Sequence, residues 1–500
     1  MADYRRPDVY IEEKPSFPGS VLEIESAIPV FIGYTENDPT PGEPVQVSSM
    51  QEFEASFGGA FPEDGISSFI FNSNTRQVTI MPEKKEPEFM LHYAMRHYFL
   101  NGGAKCFVLS SGTYAPVGAP VAQAIVFNTA DFATKVQTLL TRALEIEEAT
   151  LFVIPELVKL AVVTLPVPAA GGAAAIPANI NYANITGALS QTLQSLLDKQ
   201  KLEKFFILDV VAPDGINKLD DIKEFDESGF AGWTIERKGE FMALYYPYLV
   251  TTFRLELDDT AIDNLPDQIN MQGGANSTMA KLKVGSVPEK GMYEYLKQQL
   301  KANAPAVILP PSAAMAGIYV SVDDARGVWK APANVSVANI NGLTRFVDDS
   351  FHEDLNINPL NGRSICAIRT LPGYGTRVMG GRTLRGGSND FCYSNVRRFV
   401  SVAEKSIKNA LKQYLFEPNN PATWGLVKGA ISNYLSRKWL QGALLGAKAE
   451  DSFFVRIGLG ITMSKDDVLN GRMIVDVGMA VVRPAEFIIL RFEQFLPAKL

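Results

Sequence analysis

Residues 6–19 read RPDVYIEEKPSFPG. Within this stretch Val9 and Ile11 alternate with Tyr10 and Glu12, the period of a strand with one apolar face. Pro7 stands before it, and Pro15, Pro18 and Gly19 follow, so no hairpin turn brings back an adjacent partner strand. The N–H and C=O groups of a lone strand need partners, which places this strand's partner far away in sequence.

The other end poses the same problem. Phe487–Phe492 (FIILRF) is apolar on both faces. Pro484 just before it suits a central strand poorly, so the chain is expected to leave its own sheet there. A bare edge of this kind aggregates unless something covers it. Both ends therefore look like strands lent to another chain's sheet. Each fully buried side chain of the type of Val9 or Ile11 would add roughly 1.5–3 kcal/mol to such a link. Pairing of the two ends within one molecule satisfies the same bonds, and the pattern alone does not choose between the two.

Between the ends, short apolar runs alternate with amphipathic helices. Ala27–Tyr34 reads as a buried strand, Glu88–Asn101 as a helix ended by Gly102–Gly103, and Lys105–Leu109 as a strand. Asp131–Glu148 (helix), Leu151–Ile154 (strand), Ile185–Lys199 (helix) and Phe205–Val211 (strand) continue the alternation. This is the pattern of an α/β layer with a largely parallel sheet. Residues 161–184 and 251–291 read as variable surface loops. The last third changes character. A strong amphipathic helix over Val396–Phe416 is broken at Glu417-Pro418-Asn419-Asn420. A second helix then starts at Pro421 with Asn420 as its cap and runs to Gly442. Phe453–Ile457 and Arg472–Arg483 read as strands.

Composition narrows the function. The chain has 500 residues, enough for two to four domains, with 46% hydrophobic and 20% charged residues. A net charge of −8 argues against nucleic acid as the main partner. Cys106, Cys366 and Cys392 lie far apart, which fits a reducing compartment and gives no disulfide framework or zinc site. No apolar run of spanning length is present, so neither a signal peptide nor membrane insertion is expected.

Catalytic and cofactor chemistry finds little support. His92, His97 and His352 are the only histidines, and the first two, five apart on a helix, do not share a face. Gly373-Tyr374-Gly375 completes no nucleotide-binding motif and reads as turn glycines. Asp323-Asp324 near Arg326 suits a structural salt bridge better than an acid pair, and Ser312 has no GxSxG context. We expect no catalytic, cofactor-binding or metal residues, and no cofactor.

Six blocks resemble the contractile tail sheath proteins of phages and phage-tail-like injection systems, in family order. They are PDVYIEE with AIPVFIGYT, Pro310–Asn334 (PPSAAMAGIYVSVDDARGVWKAPAN) and Ala367–Leu384 (AIRTLPGYGTRVMGGRTL). NVRRF through FEPNN to Trp424, Trp439–Ala447 (WLQGALLGA), and NGR at Asn470 with VRPAEFIILR ending at Arg491 complete the set. Departures are Asp8 for the usual Gly, Met379-Gly380-Gly381 for Trp-Gly-Ala, and the extension Glu493–Leu500.

The resemblance implies a multi-domain α/β (α+β) chain. It consists of an N-terminal linker arm (1–22), an outer α/β region (23–357), a C-terminal sheath core (358–484) and a C-terminal arm (485–500). The core is expected to hold two helices and a mixed sheet completed by the arms of neighbouring subunits. Arm contacts fall on Val9, Tyr10, Ile11, Glu12, Phe487, Ile488, Ile489, Leu490 and Arg491. Implied partners are the chain itself as a helical homopolymer of hexameric rings, an inner tube protein, and baseplate and terminal cap proteins. The implied setting is assembly in the bacterial cytoplasm into a phage tail or phage-tail-like particle, released outside the cell in some systems. One chain carrying both arms favours the phage-like or extracellular type over two-chain sheaths. Phage tail or bacterial injection system is left open. Lacking a nucleotide motif, such a sheath would store its contraction energy in the extended packing. The first helix carries Ser401, Lys405, Lys408 and Lys412 along one face, with Arg397 and Arg398 near its start. The second adds Lys428, Arg437 and Lys438. This basic excess in an acidic chain is an expected tube-facing surface, with a solvated face or a subunit–subunit contact as the alternatives.

Overall fold

The computed structural model describes residues 21–72, 75–82, 86–114, 127–164, 179–181, 183–211, 238–265, 268–270, 278–358, 362–387, 390–487 and 489. The chain forms two compact units, one of Glu25–Ser401 with the segment from Arg483, the other of Val402–Val482 with the segment up to Ile24.

The larger unit is built on an eight-stranded sheet. Its strands are β1 (Pro29–Thr35), β2 (Val45–Val47), β3 (Cys106–Thr113), β4 (Leu151–Val153), β5 (Phe205–Asp209), β6 (Met242–Tyr246), β7 (Cys366–Leu371) and β8 (Gly375–Val378), in the spatial order β8-β7-β6-β5-β4-β1-β3-β2. The six inner strands run parallel, and β2 and β8 close the edges antiparallel. Inner strands buried on both faces must be apolar throughout, and their side chains alternate between two cores. Val30 and Ile32 face one layer and Phe31 the other; Phe206 and Leu208 oppose Phe205 and Ile207 in the same way. The first layer is covered by the helices Thr129–Glu145 and Ala183–Asp198. The second is covered by α1 (Leu91–Leu100) and α2 (Ser312–Arg326), which pack on each other through Gly317.

The expected strand–helix alternation is present, with ends moved by a few residues. Residues 251–291 depart from expectation. Among the described residues they are not merely surface loop: Leu257, Ile262, Leu265, Met279 and Leu282 are buried. These residues join Ile66, Phe69 and Phe71 in a satellite core, where Gln268–Asn270 pairs with Ile66–Asn72, which in turn pairs with Gln77–Pro82. The apolar residues here are spaced by polar ones, which hides the burial in a sequence window. In residues 161–184, Val162–Thr164 pairs antiparallel with Asn179–Asn181, so the ends of that stretch are ordered as a ladder.

The expected start of the C-terminal core at 358 is also displaced. β7 pairs with β6, which makes residues 366–378 part of the large sheet, and the division falls at Val402, inside the helix α3 (Ser394–Leu411). The smaller unit then comprises the end of α3, α4 (Pro421–Leu440), and the antiparallel pair β9 (Phe453–Arg456) and β10 (Asp476–Met479).

Candidate assembly surfaces

In the smaller unit the first helix ends five residues before the expected Phe416. α3 ends at Leu411 and a 3₁₀ turn covers Lys412–Tyr414. The Asn420 side chain then accepts the Thr423 N–H at 3.1 Å, with Pro421 in the first turn, where a missing N–H costs nothing. Between the helices Phe416 adopts φ +68° with its ring fully exposed, an uncommon conformation for a bulky residue. α4 buries Val427, Ala430, Ile431, Tyr434 and Leu435 and packs on β9.

β9 and β10 pair from Phe453↔Met479 to Arg456↔Asp476. The expected strand over Arg472–Arg483 is thus regular only over Asp476–Met479. Beyond it, Leu445 N–H donates to Ala480 O at 2.7 Å and Val482 N–H to Ala443 O at 3.1 Å. No third strand lies in this sheet among the described residues. A two-stranded ladder is marginal by itself, and here one helix supports it. Leu445, Phe454, Leu459, Ile461 and Leu469, all in this unit, are exposed.

The segment after the N-terminal arm is fastened to the same unit. Val21 is buried, and its carbonyl accepts Arg437 Nη2 at 3.1 Å. Ser406 Oγ accepts the Ile24 N–H at 3.0 Å, and Lys438 pairs with Glu23. This changes the reading of two residues. Lys438 is not an outward-facing charge: it is 7% exposed and engaged with Glu23, and Arg437, though exposed, is committed to Val21. Lys408, Lys412 and Lys428 are exposed and Lys405 half-buried.

The basic residues at the start of α3 are likewise interior. Arg398 pairs with Asp323, donates to Ser26 O at 2.9 Å and lies 4.6 Å over the Tyr319 ring. Arg397 sits between the Phe241 and Phe391 rings, 5.2 and 4.2 Å from their centroids, and pairs with Glu240. Ser401, expected on the basic face, is buried and accepts Arg397 Nε at 3.1 Å. A helix wheel cannot see these partners, because they come from distant segments.

The root of the C-terminal arm belongs to the larger unit. Arg382 donates to Glu486 through Nε at 3.0 Å and Nη2 at 2.5 Å, and Arg483 reaches Asp390 at 3.3 Å. Past this clamp Phe487 and Ile489 are 72% and 79% exposed and form no strand. Val9, Tyr10, Ile11, Glu12, Ile488, Leu490 and Arg491 lie outside the described residues.

Open parallel sheets bind ligands at the carboxyl ends of their strands, where the strand order reverses. In this unit the order reverses between β1 and β4, and aromatic rings pack beside that place, near the ends of β1 and β3. Tyr34, Phe89, Phe127 and Phe132 stack edge-on or tilted there, with Tyr114 against Phe89. Beneath them Glu156 is fully buried, accepting the Tyr34 N–H at 3.0 Å and the Met90 N–H at 2.9 Å at the start of α1. Asp209, at the end of β5, accepts the Ser312 N–H at 2.7 Å at the start of α2. Burial pushes both carboxyls up, each to about 7. Neither acid stood out in the sequence. The signal that would have found them is a single acid closing an apolar run, as in FFILD.

The histidines serve packing. His97 is buried, held by Ala338 O at 3.0 Å and lowered to about 4 by desolvation; His92 contacts Glu54 and His352 contacts Met379 O. Asp323 is the ion-pair acid anticipated, but with Arg398 as its partner. Gly373 (φ +77°) and Gly375 (φ +72°) flank the β7–β8 turn. No cluster of metal-binding groups occurs among the described residues.

Residues 387–495 match the phage tail sheath C-terminal domain. The tail sheath protein of Vibrio phage KVP40 is 30% identical over 152 residues, covering 29% of this chain and 21% of that protein. The tail sheath protein of Burkholderia phage BcepMu is 28% identical over 166 residues, covering 31% and 34%. The matches thus span about a fifth and a third of these relatives' lengths. The contracted sheath complex of the extracellular contractile injection system PVC is 27% identical, with a TM-score of 0.62, over 100% of both chains. The chain is thus similar to contractile tail sheath proteins. The match to the sheath C-terminal domain begins before α3 and includes the β9–β10 ladder together with the Arg483–Phe487 root.

Proposed function

We propose that this chain is the structural subunit of a contractile injection machine. It polymerises as six-fold rings around an inner tube and shortens to drive that tube through a target envelope. The single observation carrying this reading is the two-stranded β9–β10 ladder, left without a third strand among the described residues in a unit rich in exposed apolar side chains. Strands lent by neighbours, at Val9–Glu12 and Phe487–Arg491, would complete it and supply the main-chain bonds that one subunit lacks.

An enzymatic role is not favoured. Aromatic rings pack beside the buried Glu156 near the ends of β1 and β3, and no metal-binding cluster occurs among the described residues. Contraction therefore draws on energy stored in the extended assembly. Assembly takes place in the bacterial cytoplasm, with the tube, baseplate and cap proteins as partners. Lys405, Lys408, Lys412 and Lys428 are the remaining candidates to meet an acidic tube.

Electron microscopy of the purified protein tests the reading. Ringed or cross-hatched tubes are expected, and a chain lacking Met1–Ser20 should stay folded and monomeric. A wild-type chain that remains monomeric at high concentration, with that deletion destabilising its fold, would overturn it in favour of a self-contained α/β protein.

A further inference from the structure

The described segments next to the two expected arms are fastened in different units. The N-terminal root is held in the smaller unit by contacts that include Arg437 Nη2 to Val21 O at 3.1 Å, Ile24 N–H to Ser406 Oγ at 3.0 Å, and Lys438 to Glu23. The Lys438 ammonium is nearly out of water, so it needs Glu23 as its counter-charge. Val21 adds a buried side chain on the same root. The C-terminal root is held in the larger unit by the forked Arg382–Glu486 pair, with Arg382 stacked 5.2 Å over the Tyr393 ring, and by Arg483 with Asp390. Nothing on a surface loop requires such pairs. They sit at residues 21–24 and 483–486, next to the expected arms.

We infer that these clamps divide mechanical tension between the units: a pull on the N-terminal arm loads the smaller unit and a pull on the C-terminal arm loads the larger one. The inference rests on the sheath reading above and adds to it a role for Glu23, Lys438, Arg437, Arg382 and Glu486 as positioning residues. Without the N-terminal clamp, tension on that arm would bypass the smaller unit and run along residues 21–28 straight into β1. Without the C-terminal clamp, it would pass to the short stretch Ala480–Val482 and peel the β9–β10 ladder from its end, one hydrogen bond at a time. A clamp whose several bonds must yield together outlasts a ladder that opens one bond at a time, so the clamps set how long a pulled sheath stays whole.

The test compares tubes of the wild type with tubes of Glu23→Gln and Glu486→Gln. Breakage into short pieces under shear, or in a fixed sub-denaturing urea concentration, is followed by light scattering and electron microscopy. Unfolding of the monomer is followed in parallel by circular dichroism. Each variant should fold and form tubes, and its tubes should break about tenfold faster than wild type, with a much smaller change in monomer unfolding. The charge-swapped pair Glu23→Lys with Lys438→Glu should recover durability. If Glu23→Gln fails to fold because it strands a buried ammonium, the apolar pair Glu23→Leu with Lys438→Met keeps the fold and should still give fragile tubes, since it packs without a directional bond. Tubes of the variants as durable as wild type, or fragility fully matched by loss of monomer stability, would overturn the inference. A wild-type chain that makes no tubes at all is a different result and removes the sheath reading itself.

Discussion

Arg398 grips Asp323 with two nitrogens while also donating to Ser26 O, and both side chains are almost fully buried. Such a pair is compensated only while both charges are present.

Replacing Arg398 with Met should therefore destabilise the monomer by about 3–5 kcal/mol, because Asp323 is left charged and enclosed. Replacing both residues with apolar ones of similar size should cost much less. Urea unfolding of the two variants checks the order; equal losses would mean that lost packing, not the stranded charge, sets the cost.

The acid–base behaviour of Asp209 gives a second expectation. Its carboxyl rises from 3.8 to about 7 on folding, chiefly through burial. The folded chain thus keeps a proton that the unfolded chain has released, so this group's contribution to stability is full below about pH 4 and is lost as pH rises towards 7. Asn in its place accepts the Ser312 N–H without titrating. Asp209→Asn should lose little at pH 5 and gain relative to wild type at pH 8, by an amount on the order of 1–3 kcal/mol. Chemical unfolding at both pH values measures it, and a difference of the opposite sign would refute the burial argument.

Gly317 marks the closest approach of α1 and α2. A Cβ there would lie 2.5 Å from the Tyr98 carbonyl oxygen and 3.1 Å from Asn101. Gly317→Val should force the helices apart and cost at least about 1–3 kcal/mol. Thermal unfolding reports this directly, and an unchanged midpoint would show that the helix pair can shift freely.

On the basic surface, Lys428 is the clean probe, because Arg437 and Lys438 are committed to the N-terminal root. Lys428→Glu should leave the circular dichroism spectrum unchanged and reduce loading of sheath onto tubes several-fold, more so at low salt. Normal tube-loaded particles would remove this residue from the contact.

The parallel layer was readable because its inner strands are continuously apolar and separated by helices of plain 3.6 period. The α3–α4 break was equally plain, since Pro418, Asn420 and Pro421 each constrain the backbone locally. What stayed hidden depended on long-range partners. Leu257, Ile262, Leu265, Met279 and Leu282 are buried against Ile66, Phe69 and Phe71, nearly two hundred positions earlier. The true surroundings of Arg397, Arg398 and Lys438 come from Glu240, Asp323 and Glu23, none of which a helix projection contains. The same limitation set the domain boundary too early, because β7 looks like the start of a new unit until it is seen beside β6.

Cys106, Cys366 and Cys392 are all buried, and burial raises each thiol, that of Cys366 to about 12. Thiolate is the reactive form, so burial should slow attack on maleimides by these sulfurs at neutral pH. A single cysteine placed on an exposed position such as Lys412 would then take a fluorophore selectively in the otherwise native background. Fluorescent dyes could be attached without first stripping out the endogenous sulfhydryls, opening this chain to distance measurements by energy transfer in real time.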